Sequence, residues 1–186
     1  NIVGGTQSDT NFGASTTLIQ STKDCTGTFP DVSCDLLPTV GLLRFDLSGI
    51  PDGATISSAD LQLYQYANSD PGAIWDAFAV TNAWTEGNST PGSGVTYNTP
   101  PPTKSGTATA SITLDGAASA VRTWGVTDLV VAWFTNSMAN NGFWVQEGST
   151  FDKAGNSAMF YSRERVGTTE DPMLTIKYVP KPSVPE

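Results

Sequence analysis

The chemistry open to this chain runs through carboxylates, amides and aromatic rings, because the 186 residues include no His. That excludes a Ser-His-Asp triad, a Cys-His dyad and any His-ligated zinc or haem site. Asp76, Glu86, Glu147 and Glu164 are carboxylates able in principle to work as an acid–base pair on a glycosidic bond. No spacing joins any two of them, so no catalytic residue is expected and the chain is read as a non-enzyme. Asp9 and Asn11 alternate around Thr10, and Asp152 and Asn156 bracket a short oxygen-rich loop. Oxygens so grouped suit Ca2+, so these four are the expected ligands of a structural calcium ion. The alternative is that such residues only cap turns.

Cys25 and Cys34 lie in one turn-rich segment, Asp24-Cys-Thr-Gly-Thr-Phe-Pro-Asp-Val-Ser-Cys34. Two thiols are too few for a zinc site, and a disulfide between them would close a small loop. Trp75, Trp84, Trp124, Trp144 and Tyr97 are possible platforms for neutral sugar rings. Most belong in a core; Trp84 and Tyr97, which flank a long loop, are the ones expected at the surface. Asn88-Ser-Thr90 in that loop is a glycosylation sequon.

The elements that must hold these residues are strands. Leu43, Phe45 and Leu47 fall on one face of the segment from Val40 to Leu47, and Arg44 and Asp46 on the other. The segments starting at Thr17, Ala59, Ile74, Ala108, Gly142, Ala158 and Met173 read likewise, which marks strands with one buried face. Turn signals separate them at 48–53, 69–72 and 140–142. In Thr127–Asn136 the apolar residues fall at 129, 130, 133 and 134, which is helical spacing. Thr127 or Asp128 is expected to start this helix and Trp133 to anchor it in the core. The fold class is therefore all-β, a jelly-roll-like antiparallel β-sandwich with one short helix. Residues 1–178 form the domain and 179–186 a Pro-rich extension. Thr85–Gly106 is a long surface loop.

Composition narrows the partners. Nine Lys plus Arg face 18 Asp plus Glu, a net charge of -9. Nucleic acid and anionic lipid are disfavoured, and no apolar run is long enough to span a bilayer. The start at Asn1, not Met, is read as a processed, exported chain, which places it outside the cell or on its surface.

Several phrases in order carry a family resemblance. They are Ser8-Asp-Thr-Asn-Phe-Gly13, Leu42-Leu-Arg-Phe-Asp-Leu-Ser-Gly-Ile-Pro-Asp-Gly-Ala-Thr-Ile56 and Ala59-Asp-Leu-Gln-Leu-Tyr64. Val80-Thr-Asn-Ala-Trp-Thr-Glu86, Val126–Trp133, Asn141-Gly-Phe, Phe160-Tyr-Ser-Arg-Glu164 and Pro172–Tyr178 come after them. Together they resemble a DNRLRE domain, the disaggregatase-related β-sandwich of secreted proteins. The resemblance implies a jelly-roll-like fold at the cell surface, beside polysaccharide-active enzymes or within large surface proteins. It brings no catalytic residue.

Two functions are open to such a chain. The first is a structural subunit whose copies assemble head-to-tail into a fibre or surface layer. Ile2, Val3, Val179, Pro180, Pro182, Val184 and Pro185 would then form the joint. The second is a non-catalytic module binding a neutral polysaccharide. Acidic glycans such as alginate are disfavoured, because only Lys23 precedes Arg44 among the basic residues.

Overall fold

The computed structural model describes residues 2–3, 9, 11–18, 22–26, 33–37, 39–67, 71–90, 92–96, 102–148, 158–165 and 169–182. Among the described residues, two antiparallel sheets and a separate hairpin account for the strands. The first sheet runs, in spatial order, β1 (Ile2–Val3), β5 (Thr39–Leu43), β10 (Phe143–Glu147), β7 (Ile74–Ala79) and β8 (Ala110–Thr113). The second is built around β6 (Thr55–Ala67), a 13-residue strand. β9 (Ala120–Gly125) pairs along one side of it. Asp60 and Gln65 of β6 each pair with β9 and with a second strand, so those second strands lie on the opposite side. They are β12 (Met173–Val179) on the first half and β11 (Met159–Tyr161) on the second, with β2 (Thr17–Leu18) beyond β11. β3 (Thr22–Thr26) and β4 (Ser33–Leu37) form the hairpin.

Alternation along β6 shows why the sheets pack. Ala59, Leu61, Leu63 and Gln65 are buried, while Gln62, Tyr64 and Tyr66 turn to the other face. This is the period of two expected of a sheet with one face inside. Trp75, Ala77, Phe143, Val145 and Phe160 meet that face from the other strands. Trp124 links the sheets directly, its Nε1–H donating to the Trp75 carbonyl at 2.9 Å. The buried Gln65 is an exception to an apolar core. Its Oε1 accepts from Arg122 Nε at 2.7 Å, and Arg122 reaches on to Asp115 at 2.8 Å, so the polar groups are paired.

The helix α1 (Thr127–Phe134) lies where expected, with Leu129, Val130 and Trp133 buried. It begins at Thr127, one of the two residues expected to start it. Val126 occupies the cap position with no side-chain capping bond, and Thr127 Oγ1 instead accepts the Ala59 N–H, tying the helix to β6. Trp133 packs edge-on against Phe143, 4.7 Å between centroids.

Three further placements bear on the sequence reading. The hydrogen-bonded part of β5 stops at Leu43, although Phe45 and Leu47 still pack on the core beyond it. Ile2 and Val3 pair with Val40 and Thr39 of their own chain. Val179 ends β12 opposite Thr55, one residue past the expected domain boundary. Val184 and Pro185 lie outside the described residues.

The first sheet is covered in part on its outer face as well. Val40, Leu42, Val80 and Val95 form a second, smaller apolar cluster, with Trp84 and Trp144 packed on it. Val95 comes from the long loop after β7, which folds back over the sheet. Thr81 and Thr103 tie the base of that loop, N to O at 2.8 Å, and Val80 bridges to Lys104.

Candidate functional site

A cleft of about 730 Å³ opens where the end of β5 faces the place along β6 at which β11 gives way to β12. The volume lies within the ~300–1,000 Å³ usual for ligand pockets. Leu42 and Leu43 stand on its inner wall, one from each apolar cluster. Consecutive strand residues point to opposite faces, so the cleft sits where the inner core and the outer cluster meet.

Trp84 lines it together with Phe12 and Phe45. The tryptophan is half-buried, and its Nε1–H donates to the Asn141 carbonyl at 2.7 Å, which fixes the indole. The guanidinium of Arg44 lies 5.4 Å from the Trp84 ring centroid, within cation–π range. Gly142, next to Asn141, holds a left-handed backbone (φ 88°), and a Cβ there would meet the Leu43 carbonyl oxygen at 2.1 Å. Only glycine lets this turn approach β5, and so lets Asn141 reach Trp84.

The polar rim is a chain of carboxylates and guanidinium groups. Arg163 Nη2 contacts Glu86 at 2.6 Å and its Nε contacts Glu164 at 3.0 Å. The hydrogen bond that Arg163 donates to Glu164 and the nearby Glu86 charge raise the Arg163 pKa above its ordinary value. Asp46 takes the Ser48 hydroxyl at 2.7 Å and the Ser48 N–H at 2.9 Å. These bonds, the hydroxyl's first, hold the Asp46 pKa below the usual carboxylate value. Asp46 therefore stays an anion and a hydrogen-bond acceptor. Arg44 makes no ion pair among the described residues.

Two loops are fastened beneath this rim. Asn11 is buried; its Nδ2 donates to the Val95 carbonyl at 2.5 Å and its Oδ1 accepts the Gly13 N–H at 2.7 Å. A Cβ on Gly13 would lie 1.8 Å from the Gly87 carbonyl oxygen, and one on Gly94 2.2 Å from the Gly87 nitrogen. The backbones at Gly13, Gly87 and Gly94 thus touch, with the Asn11 amide packed against Gly87. That contact sets Glu86 opposite Arg163.

The residues singled out from the sequence fare unevenly. Trp84 lines the cleft. Tyr97, Asp152 and Asn156 lie outside the described residues. Trp75 and Trp124 are core, and Trp144 is half-buried with its Nε1–H bonded to Gln146. Asp9 sits exposed in a turn, whereas Asn11, expected as a calcium ligand, staples loops. Among the described residues no three acidic or Cys side chains gather into a metal site. Of the four carboxylates weighed for catalysis, Glu86 and Glu164 line the cleft; Asp76 and Glu147, on β7 and β10, do not. Cys25 stands opposite Cys34 in the antiparallel register, the placement a cross-strand disulfide needs. Asn88 is exposed, its Oδ1 accepting from the Thr90 N–H and hydroxyl. The cleft's floor is not foreseen from the sequence: Asn11, Gly13 and Gly87 signal it only through their types, and their meeting is long-range.

A two-sheet sandwich with an aromatic and a polar rim around an open cleft is an architecture of binding modules. The sequence profile of carbohydrate-binding module family 96 matches residues 2–178, and the chain belongs to that family. No curated protein sequence matches it.

Proposed function

We propose that the chain is a non-catalytic, extracellular module that holds a neutral polysaccharide in the cleft beside Trp84. One observation carries this: an indole fixed in a cleft about 730 Å³ in volume, ringed by Asp46, Glu86, Arg163 and Glu164. A sugar ring offers an apolar face of C–H groups and an edge of hydroxyls. The indole suits the first, and carboxylates with guanidinium groups suit the second, each accepting from or donating to hydroxyls. Family membership points the same way. Three rim carboxylates against two guanidinium groups, on a chain of net charge -9, favour an uncharged chain.

Binding without catalysis fits the same groups. Glu86 and Glu164 are both tied to Arg163, and Asp46 is held ionised, so none is set up as a proton donor. Among the described residues no helix is long and apolar enough to cross a membrane. The fibre-subunit reading falls behind, since Ile2, Val3 and Val179 pair within their own chain. A second reading concerns charge: Arg44, without an ion pair among the described residues, suits a glycan bearing carboxylates.

Affinity electrophoresis through gels of soluble glucan, mannan, xylan, galactan and alginate tests both. Retardation by a neutral gel is expected. Trp84→Ala should weaken it at least about tenfold, as loss of an aromatic anchor does. Retardation by alginate alone, abolished by Arg44→Ala, would move the assignment to acidic glycans. Migration unchanged in every gel would end the glycan-binding reading.

A further inference from the structure

A second hollow of about 390 Å³ adjoins the cleft. Gly13, Glu86, Arg163 and Glu164 line both. Resting on the glycan-binding reading, we infer that the two form one continuous track, and that its occupant is an internal stretch of a linear polysaccharide, not a chain end or single sugar.

Arg163 stands at the junction. It is well exposed, yet two glutamates hold it, Glu86 at Nη2 and Glu164 at Nε. Each glutamate uses one oxygen on Arg163. The other, Glu86 Oε1 or Glu164 Oε2, remains an acceptor for a sugar hydroxyl. The junction is thus a set of fixed donors and acceptors that a chain can cross, not a wall.

Beyond it the lining is Gly13, Ala14, Gly87, Asn88 and Ser93, none larger than asparagine. The glycines are forced by the close approach of the 11–14 and 86–95 backbones, and the same contact removes side chains that would block a passing chain. Ser93 is itself held, its Oγ donating to the Thr90 carbonyl and accepting the Asn88 N–H. This end is therefore open and lined by small side chains, with Ser93 tied to Asn88 and Thr90. Trp84 anchors one part of the chain while the small polar residues let the rest run on.

A ladder from disaccharide to octasaccharide, cut from whichever gel polysaccharide retards the wild-type domain, tests the track by calorimetry. Affinity should climb about tenfold between the disaccharide and the hexasaccharide, as added subsites contribute. Ala14→Trp and Asn88→Trp, from opposite sides of the hollow, should each erase that climb and leave disaccharide affinity within about twofold. Unfolding temperature checks that each variant is folded, and one folded variant suffices. Affinity flat with length, or a climb that survives a folded plug, overturns the track while Trp84→Ala still reports on the functional reading. A domain retarded by no gel ends both.

Discussion

The two apolar clusters differ in how they are made. The inner one lies between the sheets and draws on strands whose alternation supplies one buried face each: Leu61 and Leu63 from β6, Trp75 from β7, Phe143 and Val145 from β10, Phe160 from β11. The outer one lies on the far face of the first sheet and needs a loop to close it, with Val95 folded onto Val40, Leu42 and Val80. The inner cluster makes the fold, and the outer one adds the wall of the cleft that carries Leu42 and Trp84. Leu43 and Leu42, adjacent in sequence, belong to one each. A module can therefore keep its sandwich while its loop tunes the site.

Breaking the inner cluster should have the largest effect. Phe143 is fully buried between Phe45 and Trp133. Phe143→Ala should cost ~3–5 kcal/mol, through lost transfer energy and a cavity among rings that cannot collapse. Urea unfolding measures it; a loss below ~1 kcal/mol would contradict such packing.

The next effect tests the seam between loop and sandwich. An alanine at Gly87 would place its Cβ 2.4 Å from the Asn11 side chain and the Ser93 carbonyl oxygen. The latter is backbone and cannot rotate away. Gly87→Ala should cost ~1–3 kcal/mol and, by shifting Glu86, weaken glycan retention as well. Unchanged retention in the folded variant would separate the loop seam from the cleft.

Val95→Ala sharpens the comparison from the outer side. It removes two buried carbons at ~0.8 kcal/mol each, about 1–2 kcal/mol in all. The inner cluster keeps its contacts, so near-ultraviolet signals of the buried tryptophans should persist while that of Trp84 changes. A global loss of those signals would show that the clusters are one unit.

The inner cluster is largely legible in the sequence, because period-two alternation is local. The segments around Leu43, Leu61, Phe78, Val145 and Ile176 announce their strands, and the helix announces itself at 129, 130, 133 and 134. β9 escapes, since Ala-Val-Arg-Thr-Trp-Gly puts Arg122 on the buried face, where a charge is tolerated only because Gln65 and Asp115 meet it. The site is legible in three single residues, Trp84, Glu86 and Glu164, but not in their meeting. Its floor depends on Asn11 reaching Val95, 84 residues on, and on three glycines meeting face to face. Nothing local encodes such a contact. Asp9-Thr-Asn11 suggests a metal loop on local pattern alone, and that pattern gives no sign of the bonds that join the Asn11 amide to Val95 and Gly13.

The smallest effect is electrostatic, and it sets one carboxylate from each region side by side. Asp115 binds the buried Arg122 beside the inner cluster, and that hydrogen bond, followed by the Ala117 N–H, lowers its pKa below the ordinary 3.8. Asp46 at the cleft is lowered by Ser48. A carboxylate more acidic when folded than unfolded adds stability above the unfolded value, and the gain vanishes as pH falls through the folded one. Both gains should therefore be full at neutral pH and be lost on acidification below 3.8. Both side chains are largely in water, so each contribution is small. Their loss has different consequences. Protonating Asp115, or replacing it by Asn, leaves the Arg122 charge held only by Gln65 and the Ala117 carbonyl, so it should lower the urea midpoint more than Asp46→Asn. Asp46→Asn removes an anion from the rim, so it should weaken glycan retention more than Asp115→Asn. Urea midpoints between neutral pH and pH ~3, paired with gel retardation at neutral pH, read both halves. The reverse ranking in either would mean that the interior and the cleft are not separate in the way their contacts divide them.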